Sequence, residues 1–201
     1  MLARRDWTDR APPQYRMRPR RLDEIRALVL HQTSFEWAEV NPMWAQVRAH
    51  AVIHRSGLVT DLHTILTRMR YGCGLGNRWA INVELEGNLP LEYREGVPVY
   101  WRPERFRSTL TEPQIAAARE FVALLAEQVP GLMIGAHRQI ELDRSGCCGP
   151  DIWREVGQWA VDELGMLEMP VAGGRPIPDA WRCSVAAPTD RAYTGPLEVP
   201  L

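Results

Sequence analysis

No apolar stretch in this chain approaches the roughly 20 residues that crossing a bilayer requires, which excludes a helical membrane anchor. A secretory signal is lacking as well. Met1-Leu2-Ala3-Arg4-Arg5-Asp6 runs into polar, proline-rich sequence with no apolar core to the segment. The expectation is a protein synthesised in the cytoplasm without a signal peptide, acting on anything outside only after release or delivery. Cysteine is scarce. Cys73, Cys147, Cys148 and Cys183 are too few and too unevenly placed for a disulfide framework. The adjacent pair bridges only with strain, and a Cys73–Cys183 bridge is disfavoured in a reducing compartment. Net charge is close to absent at −1, which gives no support for nucleic acid or an anionic membrane as partner. Arg16, Arg18, Arg20 and Arg21 cluster, yet such a run is more often a solvated segment than a docking patch. Internal repeats and low-complexity tracts are missing too.

What remains is ordinary globular material. A chain of 201 residues, 45% hydrophobic and 24% charged, is long enough for one domain with a sizeable core. Residues 1–25 are proline- and arginine-rich and read as an irregular arm, with Trp7 available to tuck it against the domain. Ala27 to His31 is a continuous apolar run that suits a buried strand. Trp37, Val40, Trp44 and Val47 have helical spacing, interrupted by Asn41-Pro42. Ala49–His54 and Leu58–Leu62 flank a Ser-Gly turn and read as a hairpin. Residues 64–79, with Gly72, Gly74 and Gly76, look like a surface loop.

Ala80–Glu86 alternates strictly: Ile81, Val83 and Leu85 face one way, and Ala80, Asn82, Glu84 and Glu86 the other. Residues 88–108 form a proline-containing aromatic insertion, a candidate groove wall. A helix is expected from Thr111, with capping-box spacing to Gln114, Pro113 in its first turn and an apolar stripe from Ile115 to Val129. Leu132-Met133-Ile134 is a short strand leading to His137. A last helix runs from about Pro150 to Leu164, and residues 165–201 are a Pro/Gly-rich tail. The fold class is α/β: a mixed central β-sheet flanked by helices, the domain spanning 26–164.

The chemistry gathers in Ile134–Trp153, which reads IGAHRQIELDRSGCCGPDIW. Catalytic zinc is usually held by three side chains with one position left for water. His137 and Cys147 offer two ligands on one loop, and His31, at the end of its apolar run, is the applicant for the third. A lone histidine after an apolar run is more often a satisfied core residue, so the case rests on the combination. Cys147 precedes a helix start, where the dipole would favour its thiolate. His50 and His54, four apart on one strand face, and His63 are competitors.

In this order the motifs resemble the zinc-dependent N-acetylmuramoyl-L-alanine amidases of the type-2 amidase and peptidoglycan-recognition-protein superfamily. The likeness begins weakly at Arg5-Asp6-Trp7 and continues with Leu28-Val29-Leu30-His31-Gln32-Thr33 and Ala49 to Gly57. Trp79 to Gly87 is similar to the family's Ile-Gly-Ile-Glu-Leu-Glu-Gly strand. Leu110-Thr111 to Gln114, Gly135-Ala136-His137-Arg138 and Cys147-Cys148-Gly149 follow, so that residues 5–164 are covered.

The resemblance implies Zn2+ held by His31, His137 and Cys147, with Cys148 in the family's proline position as the alternative third ligand. It implies Glu84 as general base, since the tyrosine used by other branches falls at Ala49. Ser145 departs from the cation usual two residues before the third ligand. Arg144 is the nearest replacement to hold the oxyanion, and Arg138 suits a structural role. The histidine frequent in the loop before the Glu strand is replaced around Gly72-Cys73. The implied reaction is hydrolysis of the amide joining N-acetylmuramic acid to L-alanine in peptidoglycan or muropeptides, by a monomer. The alternatives are a recognition module that binds muropeptide without cutting it, and a zinc hydrolase of another amide or ester.

Overall fold

The apolar run at Ala27 and the alternating stretch at Ala80 become neighbouring strands in the middle of the computed structural model, which describes residues 2–10, 12 and 16–182. Strand β3 (Ala27–Gln32) lies between β10 (Met133–Ala136) and β7 (Ala80–Leu85). Beyond β7 come β4 (Ala51–Ile53), β5 (Val59–Asp61) and β1 (Arg4–Asp6). Only the β4–β5 hairpin is antiparallel in this six-stranded sheet. Parallel strands are normally covered on both faces, and all six residues of β3 are buried.

One face carries Leu28, Leu30, Ile53, Ile81, Val83, Leu85 and Ile134 against the long helix α1 (Glu112–Gln128). The second helical layer on that face begins as α2 (Pro150–Ile152), widens into a π-helical stretch over Trp153–Gln158, and ends as α3 (Trp159–Leu164). A Cβ at Gly157 would sit 2.6 Å from the Trp153 ring, so only glycine lets that indole lie flat against the turn. The other face carries Ala27, Val29, Ala80 and Met133 under Trp79, Ile140 and Met169. A further cluster joins Trp7, Trp44, Val52 and Leu62.

Several local expectations are corrected. The arm is partly ordered into the sheet: Arg4 grips Asp61 through two hydrogen bonds of 2.9 and 2.7 Å, and β2 (Arg16–Pro19) pairs with β6 (Arg68–Arg70) from the supposed loop. Strands of three or four residues carry too little periodicity to be read. The helical spacing around Trp44 yields only a 3-10 turn, Pro42–Gln46, capped by the Asn41 side chain on the Met43 N–H at 2.9 Å. The aromatic residues around it pack on each other, Phe35 tilted on Trp37 at 4.2 Å and Trp37 edge-on to Trp44 at 5.0 Å.

The insertion is a hairpin, β8 (Pro90–Arg94) with β9 (Val97–Tyr100). Glu95 and Gly96 both have positive φ at its tip, as a type I′ turn demands. Residues 166–182 lie over the domain: Met166, Met169, Ile177 and Trp181 are buried, and Arg182 pairs with Glu168 at 2.7 Å; the rest of the expected tail lies outside the described residues. Cys73 is a buried free thiol, while Cys183 lies outside the described residues.

At the start of α1 the expected capping box is half made. Thr111 Oγ1 accepts from the Gln114 N–H at 3.2 Å, but the Gln114 side chain turns into the core. Its amide donates to the Ile53 carbonyl at 3.0 Å and the Glu86 carbonyl at 2.9 Å, tying helix to sheet. Replacing Gln114 by methionine keeps the volume, strands the Glu86 carbonyl and leaves the Ile53 carbonyl with the Glu86 N–H alone, so stability should fall by about 1–3 kcal/mol. Urea unfolding would measure it, and a loss within about 0.5 kcal/mol, the usual range for surface substitutions, would contradict this role.

Candidate metal centre

His31 is the penultimate residue of β3, and His137 follows directly on β10. The two strands pair in parallel with Ala136 opposite Leu30, so the next residue of each is a histidine of the pair. Cys147 returns on the loop before α2, where the Arg138 N–H donates to its carbonyl at 2.9 Å. One ligand atom from each of His31, His137 and Cys147 lies within 4.8 Å of the others.

The hydrogen bonds around the two rings say what the gap suits. His31 Nε2 is 3.1 Å from Asn82 Oδ1, and the Asn82 amide nitrogen is turned to the Arg70 carbonyl at 3.4 Å. His137 Nε2 is 3.1 Å from Glu141 Oε2. Both Nε2 atoms face oxygen acceptors and therefore carry the proton. Burial pushes the pKa of His31 well below its usual value, helped by His137 and, more weakly, Arg144. Burial, then Arg144, lowers His137 to about 4.

A neutral imidazole has one N–H, so both Nδ1 atoms are bare. They face each other at 3.0 Å. Two lone pairs aimed at one another are unfavourable unless a cation lies between them. Two nitrogens on a tetrahedral zinc would be about 3.3 Å apart, given Zn–N of ~2.0–2.1 Å. The donor set therefore fits a zinc ion.

Cys147 differs from expectation in one respect. Burial first, then the nearby Glu84 charge, raises its thiol to about 12. The helix end does not offset this, because the helix opens on Pro150, which has no N–H to offer. A bound dication reverses the balance by stabilising the thiolate. Cys148 is fully buried in the core cluster beneath, with Sγ 3.7 Å from the Gly149 carbonyl. The turn depends on Gly149, φ +99°, where a Cβ would meet the Pro90 carbonyl at 2.2 Å.

Glu84 pairs with His31 across β3 and β7 and is partly buried. Its Oε2 has no hydrogen-bond partner, and burial, opposed by Arg144, raises its pKa to about 8. Arg144 lies over the Trp101 ring at 5.6 Å, with Nε 3.9 Å from Glu141. The sequence contains no lysine; all 24 Lys/Arg-type residues are arginine, so a permanently charged basic side chain at this site has to be one. Arg138 is committed to structure. It donates to the Ser145 and Pro176 carbonyls and stacks on Trp181 at 4.6 Å.

His31, Glu84, His137, Arg144 and Cys147 line one cavity of about 280 Å³, walled by Leu91, Trp101 and Arg102 of the insertion. The competing histidines are engaged elsewhere. His50 accepts from the Asn82 N–H at 3.0 Å and reaches the Arg68 carbonyl at 3.1 Å. His54 bonds Glu86 at 3.0 Å and Thr60 at 2.8 Å. Sequence reasoning missed the supporting residues Asn82, Glu141 and Gln32. Gln32 donates to the Cys148 carbonyl at 3.3 Å and accepts from the Leu89 N–H at 2.8 Å. Strand parity with Glu84 was the available signal for Asn82, and the four-residue step from His137 the signal for Glu141.

The family profile described as N-acetylmuramoyl-L-alanine amidase matches residues 21–150. The chain belongs to that family. Among solved structures, it is similar to N-acetylmuramoyl-L-alanine amidase LysC from Clostridium intestinale URNW, at 12% identity and TM-score 0.57, covering 83% of this chain and 99% of that one. Peptidoglycan recognition protein SD of Drosophila gives TM-score 0.59 at 12% identity, with 85% and 99% covered. The Ph2119 endolysin from Thermus scotoductus MAT2119 bacteriophage Ph2119 gives 0.53 at 14%, with 73% and 91% covered. At these identities the structural likeness speaks for the fold, a mixed sheet with helices. No curated protein matches the chain.

The state of Glu84 can be tested in the metal-free protein. Its folded pKa of about 8 lies above the ordinary 4.5, so the folded chain keeps a proton that the unfolded chain releases. Stability should therefore fall as pH rises from about 4.5 to 8 and level off above. Glu84→Gln removes this contribution, so its melting temperature should gain on the wild type across that window. A difference that stays flat with pH would contradict the burial of the acid.

Proposed function

We propose that this chain is a zinc-dependent amidase that hydrolyses the bond between N-acetylmuramic acid and L-alanine in peptidoglycan or its soluble muropeptides. The observation that supports this best is the convergence of two bare imidazole nitrogens and a thiol beside a carboxylate oxygen with no partner, all opening on one cavity. His31, His137 and Cys147 are the residues that would hold Zn2+. Zinc bound there supplies Lewis acidity toward the scissile carbonyl.

Glu84 is the group to move protons. Its free Oε2 can accept one from the attacking water and return it to the departing amine of L-alanine. It must be ionised to begin, and a dication nearby lowers its pKa from the value that burial imposes. Arg144, held over Trp101 at the cavity edge, supplies charged N–H groups for the oxygen that becomes negative. Leu91, Trp101 and Arg102 form the wall against which muramic acid or the stem peptide would rest. Cys147 favours catalysis over mere recognition, because a binding module has no need of a third metal ligand.

Digestion of purified peptidoglycan by the zinc-loaded chain, followed by mass analysis, should release stem peptides with a free L-alanine amino terminus. Chelation should stop the release. Glu84→Gln should lower turnover about 10²–10⁴-fold with zinc content unchanged, whereas Cys147→Ser should lower zinc content itself. Pelleting with the wall and no released peptide would point to a recognition module, and neither outcome would overturn both readings.

A further inference from the structure

An imidazole that binds a metal through one nitrogen is oriented by what its other nitrogen touches. The two histidines here are oriented differently. His31 bonds the neutral amide of Asn82, inside the sheet. His137 bonds a carboxylate from its own loop, Glu141. We propose that Glu141 is a positioning residue for the metal centre: it takes the His137 Nε2 proton as a hydrogen bond, points Nδ1 at His31 and Cys147, and makes that ring a better donor to a metal. This rests on the zinc reading above and deepens it.

The loop is built to keep the carboxylate there. A 3-10 turn over His137–Gln139 brings the Glu141 N–H back to the His137 carbonyl at 3.2 Å. The side chains at this four-residue step then meet at 3.1 Å, with Glu141 28% exposed. From the other side, Gly74 passes its backbone over the second carboxylate oxygen. Gly74 has φ +49°, and a Cβ there would lie 2.1 Å from Glu141 Oε1. The carboxylate is thus walled in, unlike a surface ion pair free to swing.

Glu141 Oε2 also lies 3.9 Å from Arg144 Nε, which has Asp143 Oδ2 beside it at 3.8 Å. One carboxylate oxygen therefore bonds His137 and stands, with Asp143, beside the cation proposed for the oxyanion. A bond donated to a carboxylate leaves the far nitrogen more electron-rich than one donated to an amide, so His137 is the stronger donor of the pair.

The test compares the full-length wild type with Glu141→Ala, Glu141→Met and Glu141→Gln. Zinc affinity, read by competition with a chromophoric chelator, should fall about 10–100-fold in the alanine and methionine variants. The metal-free chains should unfold at the wild-type temperature. A glutamine side chain still accepts the hydrogen bond but carries no charge, so Glu141→Gln should lose less. In the metal-free protein, long-range 15N correlation spectra should report His137 as the Nε2–H tautomer in the wild type and a mixture in the alanine variant.

Methionine keeps the bulk without an acceptor, so the comparison stands even if the alanine variant does not fold. Wild-type affinity in the variants, or an unchanged His137 tautomer, would overturn the proposal. A wild type that takes up no zinc would instead sink the zinc reading, while the tautomer shift would still decide whether Glu141 orients His137.

Discussion

Two ring nitrogens that both lack a proton face each other across 3.0 Å, and the architecture can be understood as the apparatus that forces them to do so. They come from residues 106 positions apart in sequence. Parallel pairing of β3 with β10 removes that distance, since its register sets one histidine beside the other. The outward nitrogens are then occupied by Asn82 and Glu141, which denies each ring the tautomer that would relieve the contact. Asn82 is itself fixed from both ends, its backbone N–H on His50 and its side-chain amide on Arg70. The placement of His31 therefore leads back through Asn82 to His50, which competed for the metal role and serves instead as a hydrogen-bonding support.

How much of this was legible follows from which features are local. His31 and His137 could be picked because each ends an apolar strand, and Glu84 because strict alternation in β7 fixes its face. Thr111 and Pro113 announced α1. Four-residue spacing from Ile152 to Leu164 announced a helix but concealed its π-helical centre, since that interval overshoots a 3.6-residue repeat and the wider turn absorbs the drift. The arm hid β1 and β2 because they are short and depend on partners some fifty residues away in sequence. Around Trp44 the spacing was helical by coincidence. Those aromatic residues pack on one another, and Asn41-Pro42 starts only a 3-10 turn.

The supporting residues were illegible for a different reason. Asn82, Gln32 and Glu141 act through hydrogen bonds that join separate turns of the chain, so parity with Glu84 and the step from His137 mark where two of them lie but not what they touch. Arg138 shows how much depends on such links. It sits beside His137, yet its guanidinium is spent on the carbonyls of Ser145 and Pro176 and on Trp181. The segment after Gly165 is thereby fastened to the loop that carries His137 and Cys147, although residues 151–182 fall outside the family match at 21–150.

Charge balance ties the site together. In the metal-free cavity, burial favours the neutral form of every group: imidazoles low, Cys147 at about 12, Glu84 at about 8. Under the zinc reading, binding a dication releases one proton from the thiol and one from Glu84. Two positive charges enter as two protons leave, so the net charge of the buried site is unchanged. A desolvated cavity tolerates that exchange far better than it would tolerate an added charge. The same logic accounts for Arg144, whose positive charge is matched by Glu141 and Asp143 at the rim. An unmatched cation there would oppose metal entry, and that gives the carboxylate of Glu141 a second reason to stand where it does.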